Sequence, residues 1–246
     1  MRFIAALLIV GVVASASPFA QGKTIRERAR VQNQLGWEDM KSEAWERAAK
    51  SFQNAIDIDP EFEIAHYGLG RANMALKKFD AAVAAYERCR NLYRAQAGRT
   101  FTNAQEAQRY RRDRILEIDE QLRMMQSGPM TAGRADTVRQ LQNQRRDIQE
   151  SIQRGDDMTI ESTVPAYVSL ALGSAYFRSG RLSDAEREYK ATIASDNRAG
   201  EAHSNLAVVY FETGRYTEAA ASLQSAKKAG FKVNPELERA IRDKSR

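Results

Sequence analysis

Residues 29 to 96 form two blocks of 34 residues that align without a gap. The first reads ARVQNQLGWEDMKSEAWERAAKSFQNAIDIDPEF and the second EIAHYGLGRANMALKKFDAAVAAYERCRNLYRAQ. Leu35-Gly36 falls on Leu69-Gly70, Ala48 on Ala82, Phe52 on Tyr86 and Ala55 on Cys89. A unit this short cannot bury its apolar face alone, so the chain must stack several of them.

Within the second block Ile64, Tyr67, Leu69 and Ala72 recur at helical spacing. Leu76 to Lys78 breaks the pattern, and Phe79, Ala82, Val83, Tyr86 and Cys89 resume it. That is two short amphipathic helices joined by a tight turn. Gly70 and Ala82 stand where a larger side chain would push the two helices apart. Pro60 stops the second helix of the first block, because proline disfavours helix at the residue before it.

The blocks resemble the tetratricopeptide repeat, whose pattern W-x2-L-G-x2-Y, then A-x3-F, then P has the same period. Leu35, Gly36, Ala48, Phe52, Ala55 and Pro60 match in the first block; Leu69, Gly70, Ala82, Tyr86 and Cys89 match in the second. The departures are Gln32 and His66 for the tryptophan, Asp39 and Asn73 for the tyrosine, and Arg94 for the proline. The period restarts at Ala166 to Ala199, with Leu172-Gly173, Tyr176, Gly180, Ala185, Tyr189 and Ile193. Gly200 to Val233 follows with Leu206, Ala207, Tyr210, Gly214, Tyr216, Ala219 and Ala226, Leu223 standing in for the aromatic. Gly180 and Gly214 fall in the inter-helix turn, where positive φ is often required. Ser183 to Glu186 reads as a capping box. Residues 234–246 read as a terminal helix with Leu237, Ala240 and Ile241 on its inner face, the polar cap a solenoid end needs.

Between the pairs lie residues 97–165. Read as two further repeats, they put Leu116, Glu120, Arg123, Glu150 and Arg154 at positions that should be small or aromatic, so that reading fails. Two long helices fit better. Thr102 to Gln105 offers a capping box, and Ser127 to Pro129 closes the first helix near Gln126. Thr131 or Asp136 caps the second, which runs to about Arg154. Ile115, Ile118, Leu122 and Met125 face Val138, Leu141, Arg145, Ile148 and Ile152 at heptad spacing. Folded antiparallel, Met125 meets Val138, Leu122 meets Leu141 and Ile115 meets Ile148, with Ile118 opposite Arg145. The expected fold is therefore all-α: two plus two repeats (29–96 and 166–233) interrupted by a helical hairpin.

The net charge is +6, with basic and acidic residues mixed along stretches such as RRDRILEIDEQLR. Mixed signs read as solvated helix surface, and nucleic acid is not an expected partner. Residues 1–16 have the layout of a secretory signal peptide: Arg2, an apolar run of about a dozen residues, and Ala14-Ser15-Ala16 at the cleavage site. A cut after Ala20 is the alternative; a retained membrane anchor is another, although the run falls short of the ~20 residues that span a bilayer. The expected location is periplasmic or secreted, with no stable anchor after cleavage.

No catalytic, cofactor-binding or metal-binding set emerges. His66 and His203 fall at the same place in different repeats, without carboxylates at metal-ligand spacing. The single cysteine, Cys89, occupies a small helix-packing position. What remains is a surface. The resemblance implies a concave face lined by the first helix of each repeat. Carried onto this sequence, its inward positions are Asn33, Trp37 and Met40; Tyr67, Arg71 and Met74; Tyr167, Leu170, Ser174, Phe177 and Arg178; and Ser204, Val208 and Phe211. The lysine and asparagine with which some family members grip a C-terminal carboxylate are absent. The expected function is a non-enzymatic scaffold of the cell envelope that holds an extended or helical segment of another protein. The alternative is homo-oligomerisation through residues 115–152.

Overall fold

The computed structural model describes residues 24–98, 100–126, 132–155 and 164–244. The segment read as a signal peptide, the Ser127 to Pro129 turn and Thr131 lie outside them. The regular elements are helices: α1 (Ile25–Lys41), α2 (Trp45–Ile58), α3 (Glu63–Ala75), α4 (Phe79–Gln96), α5 (Ala104–Gln126), α6 (Ala132–Arg154), α7 (Ala166–Arg178), α8 (Leu182–Ser195), α9 (Gly200–Glu212), α10 (Tyr216–Lys228) and α11 (Pro235–Lys244).

Each repeat is a pair in which the second helix packs back on the first: α1 with α2, α3 with α4, α7 with α8, α9 with α10. One contact sets the spacing in three of the four. A Cβ built on Gly36 would lie 2.7 Å from the Phe52 ring, on Gly70 2.5 Å from Tyr86, and on Gly173 2.7 Å from Tyr189. The aromatic of the second helix lies flat on bare backbone of the first. In the fourth pair both partners change together, to Ala207 and Leu223, and both are buried. The chain reverses between the paired helices through a residue of positive φ. It is Gly180 and Gly214 in the later pairs, but Glu43 (φ 57°) and Lys77 (φ 58°) in the first two. Those two non-glycine residues hold a left-handed conformation that side chains disfavour.

The pairs stack into one array. Helix α2 packs on α3, α8 on α9, and α4 on α7, so the join across residues 97–165 repeats the geometry of the uninterrupted joins. At that join Tyr67 meets Tyr167 edge to face at 5.0 Å, and the Tyr93 and Tyr167 hydroxyls lie 3.3 Å apart. Tyr176 donates to Glu87, and Arg90 pairs with Glu188 at 2.5 Å. The C-terminal end is closed by α11, which seats Ile241 in the core and is capped by the Asn234 side chain accepting from the Glu236 N–H. Among the described residues no repeat covers the outer side of the first pair. Leu35 is 44 % exposed, whereas its equivalents behind a preceding repeat are half-buried (Leu69) or buried (Leu172 at 0 % and Leu206 at 5 %).

Helices α5 and α6 pack side by side as an antiparallel hairpin, with Ile118, Leu122 and Leu141 buried and Arg145 pairing with Asp119 at 2.6 Å. The side chain of Met125 lies outside the described residues. Two cap assignments need correction, those of α5 and α8. Helix α5 is capped by Asn103, whose Oδ1 accepts from the Glu106 N–H, rather than by Thr102; Glu106 in turn accepts from Thr102. Helix α6 begins at Ala132, which puts Asp136 inside it and leaves the other expected cap, Thr131, just before it and outside the described residues. Helix α8 begins at Leu182 behind Arg181 and has no side-chain cap. The Gly180 turn starts the helix one residue before Ser183, and Asp184 pairs with Arg181 instead. Helix α1 starts from a capping box of Thr24 and Glu27, four residues upstream of the first 34-residue block.

Candidate functional site

First helices touch their neighbours along the array: α1 meets α3, α3 meets α7, and α7 meets α9. Their side of the solenoid is therefore the tight, concave one. Two lanes run across it. One is formed by the N-terminal halves of the first helices, the other by their C-terminal halves.

The hairpin fills the first lane. Helix α5 carries Ala107, Arg111, Arg114, Glu117, Ile118 and Gln121 on one face, and all are buried. Arg114 donates to the Tyr93 hydroxyl at 2.5 Å and to Glu117 at 3.0 Å, and its guanidinium lies 4.9 Å from the Tyr93 ring centre. Glu117 approaches both Arg26 and Arg30 of α1 at 3.8 Å. Arg26 also bonds Asp59 at 2.8 Å and Glu63 at 3.2 Å and stacks on Phe62. Glu63 accepts from Gln96, which accepts from Tyr110 of α5. Ion pairs of this kind are costly to break from one side, since the surviving charge stays buried. Burial raises the Glu117 carboxyl above the usual glutamate range, against the pull of Arg114. Helix α6 completes the lane. It contacts α7 and α9, and Gln140 donates to Asp196 at 2.8 Å. Thr137 and Gln140 border a small gap against Tyr167, Leu170 and Glu201.

The mixed-charge stretch of α5 is thus solvated on one side only: Arg112 and Arg123 are exposed, whereas Arg111, Arg114, Glu117 and Glu120 are buried together with Gln121. Heptad spacing marked Ile118 and Leu122 as a seam. It gave no sign that the charged residues beside them face a second surface, because the complementary charges lie far away in sequence.

Of the inward positions expected from the sequence, Asn33, Trp37, Tyr67, Tyr167 and Ser204 are buried. Trp37 packs edge to face on Phe52, and Tyr67 links Trp37, Tyr86 and Tyr167 into one aromatic chain. The second lane holds Met40, Arg71, Met74, Ser174, Phe177, Val208 and Phe211, all half-buried, and Arg178, which is exposed. Arg71 lies over the Trp37 ring at 5.9 Å and Arg178 over Phe79 at 4.8 Å.

The histidines are explained by packing. His66 Nε2 meets the Pro60 carbonyl at 3.0 Å and His203 Nε2 the Asn197 carbonyl at 3.3 Å, the same contact in two repeats. Cys89 is fully buried, and that burial pushes its thiol well up, away from the reactive thiolate. Among the described residues no group of His, Cys, Asp and Glu is arranged to hold a metal ion, and no helix is long and apolar enough to cross a membrane.

The tetratricopeptide repeat family model matches residues 33–99 and 170–230, together more than half of the chain. Among curated proteins none matches the sequence. Several solved structures are similar along most of their length. PilW, a type IV pilus biogenesis factor, is 15% identical, with 89% of this chain and 86% of that one covered and a TM-score of 0.42. TTC0263, a thermophilic TPR protein of Thermus thermophilus, is 18% identical, with 88% and 98% covered and a TM-score of 0.36. YrrB, a TPR protein with an unusual peptide-binding site, is 14% identical, with 89% and 92% covered and a TM-score of 0.29.

Proposed function

The chain belongs to the tetratricopeptide repeat family, and on that footing we propose that it is a non-enzymatic scaffold of the cell envelope that holds a segment of another protein on its concave face. The observation that carries the reading is the open second lane. Met40, Arg71, Met74, Ser174, Phe177, Arg178, Val208 and Phe211 come from all four repeats and, among the described residues, each keeps part of its surface exposed. Methionine, aromatic and arginine side chains are enriched where proteins meet. The buried residues Asn33, Trp37, Tyr67, Tyr167 and Ser204 form the floor and fix the positions above them. The envelope location rests on the signal-peptide layout of residues 1–16.

Site-specific photo-crosslinking tests the site. A photoreactive residue at Phe177 or Val208 should trap a protein partner in cells, and one at the exposed Lys50 on α2 should not. Crosslinks from Lys50 alone, or from none of the three, would remove the groove from the account. The N-terminal residue of the mature chain, Ser17 if the cut follows Ala16, tests export.

A further inference from the structure

The arginines of this fold are sorted by their partners. Arg26, Arg30, Arg90, Arg114, Arg145 and Arg215 are each at least partly buried, and each meets a carboxylate. Arg71 is the contrast. It is half-buried at the centre of the second lane, with the Trp37 face and the phenols of Tyr67 and Tyr86 around it. Among the described residues no carboxylate comes within ion-pair distance of it. A partly desolvated guanidinium without a counter-charge is an unfavourable arrangement that an incoming carboxylate relieves. Arg178 on the same lane lies over the ring of Phe79. The lane between and beside them is lined by Met40, Met74 and Phe177.

The first lane shows what kind of element this face accepts. Its occupant is a helix, α5, which presents a carboxylate (Glu117) to the arginines Arg26 and Arg30 and buries the adjacent aliphatic side chain (Ile118) completely. The second lane offers the same two components, a guanidinium beside soft apolar side chains, with the acid–aliphatic half missing.

We propose that the second lane binds a partner helix carrying an acidic side chain next to an aliphatic one, with Arg71 as the seat of the carboxylate and Met40, Met74 and Phe177 taking the aliphatic neighbour. The site rests on the groove reading given above and names its chemistry. The ligand is an internal Asp or Glu of an amphipathic segment.

The test is fluorescence anisotropy of the purified full chain with a blocked peptide of residues 111–125, the chain's own acid–aliphatic helix. A second peptide has Asp113, Glu117, Asp119 and Glu120 replaced by their amides. The acidic peptide should bind the wild-type chain, and the amide peptide about tenfold more weakly. Arg71→Met should cost the acidic peptide about tenfold and leave the amide peptide unchanged, with Arg71→Lys in between. Thermal melts of both variants establish that they fold. Arg30→Met should leave binding as it was. Equal binding to wild type and Arg71→Met, or no binding to wild type, overturns the site. So does a loss that follows Arg30→Met and spares Arg71→Met, which would mean that the peptide displaces α5. Crosslinks from Phe177 that persist in Arg71→Met would reject this chemistry while leaving the groove in place; absence of groove crosslinks altogether would reject the groove itself.

Discussion

The rings of Tyr67 and Tyr167 meet edge to face with centroids 5.0 Å apart, although residues 97–165 separate their repeats. This contact, with the Tyr93–Tyr167 hydroxyl pair and the Arg90–Glu188 ion pair, makes the third repeat continuous with the second. Two repeats alone could not bury their faces; four in contact can.

Removing one ring should therefore loosen the whole array. Tyr167→Ala is expected to lower stability by about 3 kcal/mol. A double-mutant cycle with Tyr67→Ala should return a coupling of about 1 kcal/mol for the ring pair. Urea unfolding followed by circular dichroism measures both.

The glycine–aromatic contact predicts a reciprocal rescue. Gly173→Ala places a methyl group 2.7 Å from the Tyr189 ring and should destabilise by about 1–3 kcal/mol. Adding Tyr189→Leu recreates the Ala207–Leu223 arrangement of the fourth repeat. The double variant should melt above Gly173→Ala alone; a lower melting temperature would contradict the packing account.

Lys77 holds φ at 58° in the turn where Gly180 and Gly214 serve the later repeats. Lys77→Gly removes the side-chain clash but makes the unfolded chain freer, so the net gain is about 0.5–1 kcal/mol. The same change at Lys50, exposed in the middle of α2, should destabilise by about 1 kcal/mol. Paired thermal melts of the two variants separate the effects.

Glu120 of α5 is buried by the docked hairpin, which pushes its carboxyl up to about 7 against the pull of Arg30 and Arg123, with Glu117 and Glu38 nearby raising it further. The folded value lies above the unfolded one. Its contribution is therefore complete below the unfolded range and is lost as pH rises through 7. Between pH 6 and pH 8 this group alone should cost the docked state about 1 kcal/mol, allowing for solvent screening. Glu120→Gln should flatten that slope, as read from melting temperatures across the range.

The repeats were legible because their determinants are local. Gly36, Gly70 and Gly173 each report on a partner ring within the same helix pair, and Gly180 on the turn that joins one, all at a fixed spacing. The hairpin helices were legible for the same reason, from the spacing of Ile118, Leu122 and Leu141. The hairpin's seat was not. It depends on Glu117 meeting Arg26 and Arg30, and on Arg114 meeting Tyr93, contacts between elements whose spacing in sequence carries no period. The caps of α5 and α8 were misplaced by one or two residues for a related reason: a serine, threonine or aspartate near a helix start is common, and the turn before it decides which residue is used. The concave positions followed from the repeat register. Their division into a filled and an open lane followed only from where α5 lies.

The α4–α7 join has a kinetic side. Every other join in the array closes over a short turn, whereas this one must bring together helices separated by residues 97–165. Closing a long loop costs chain entropy before any contact rewards it. Helices and a hairpin form far faster than a loop of that length searches, so the insert should collapse first and shorten the gap. The two halves of the array would then mature separately and zip together last. The junction, with its tyrosines and buried ion pair, would be the first to open as well, and its amides should lose hydrogen-exchange protection before those within either half.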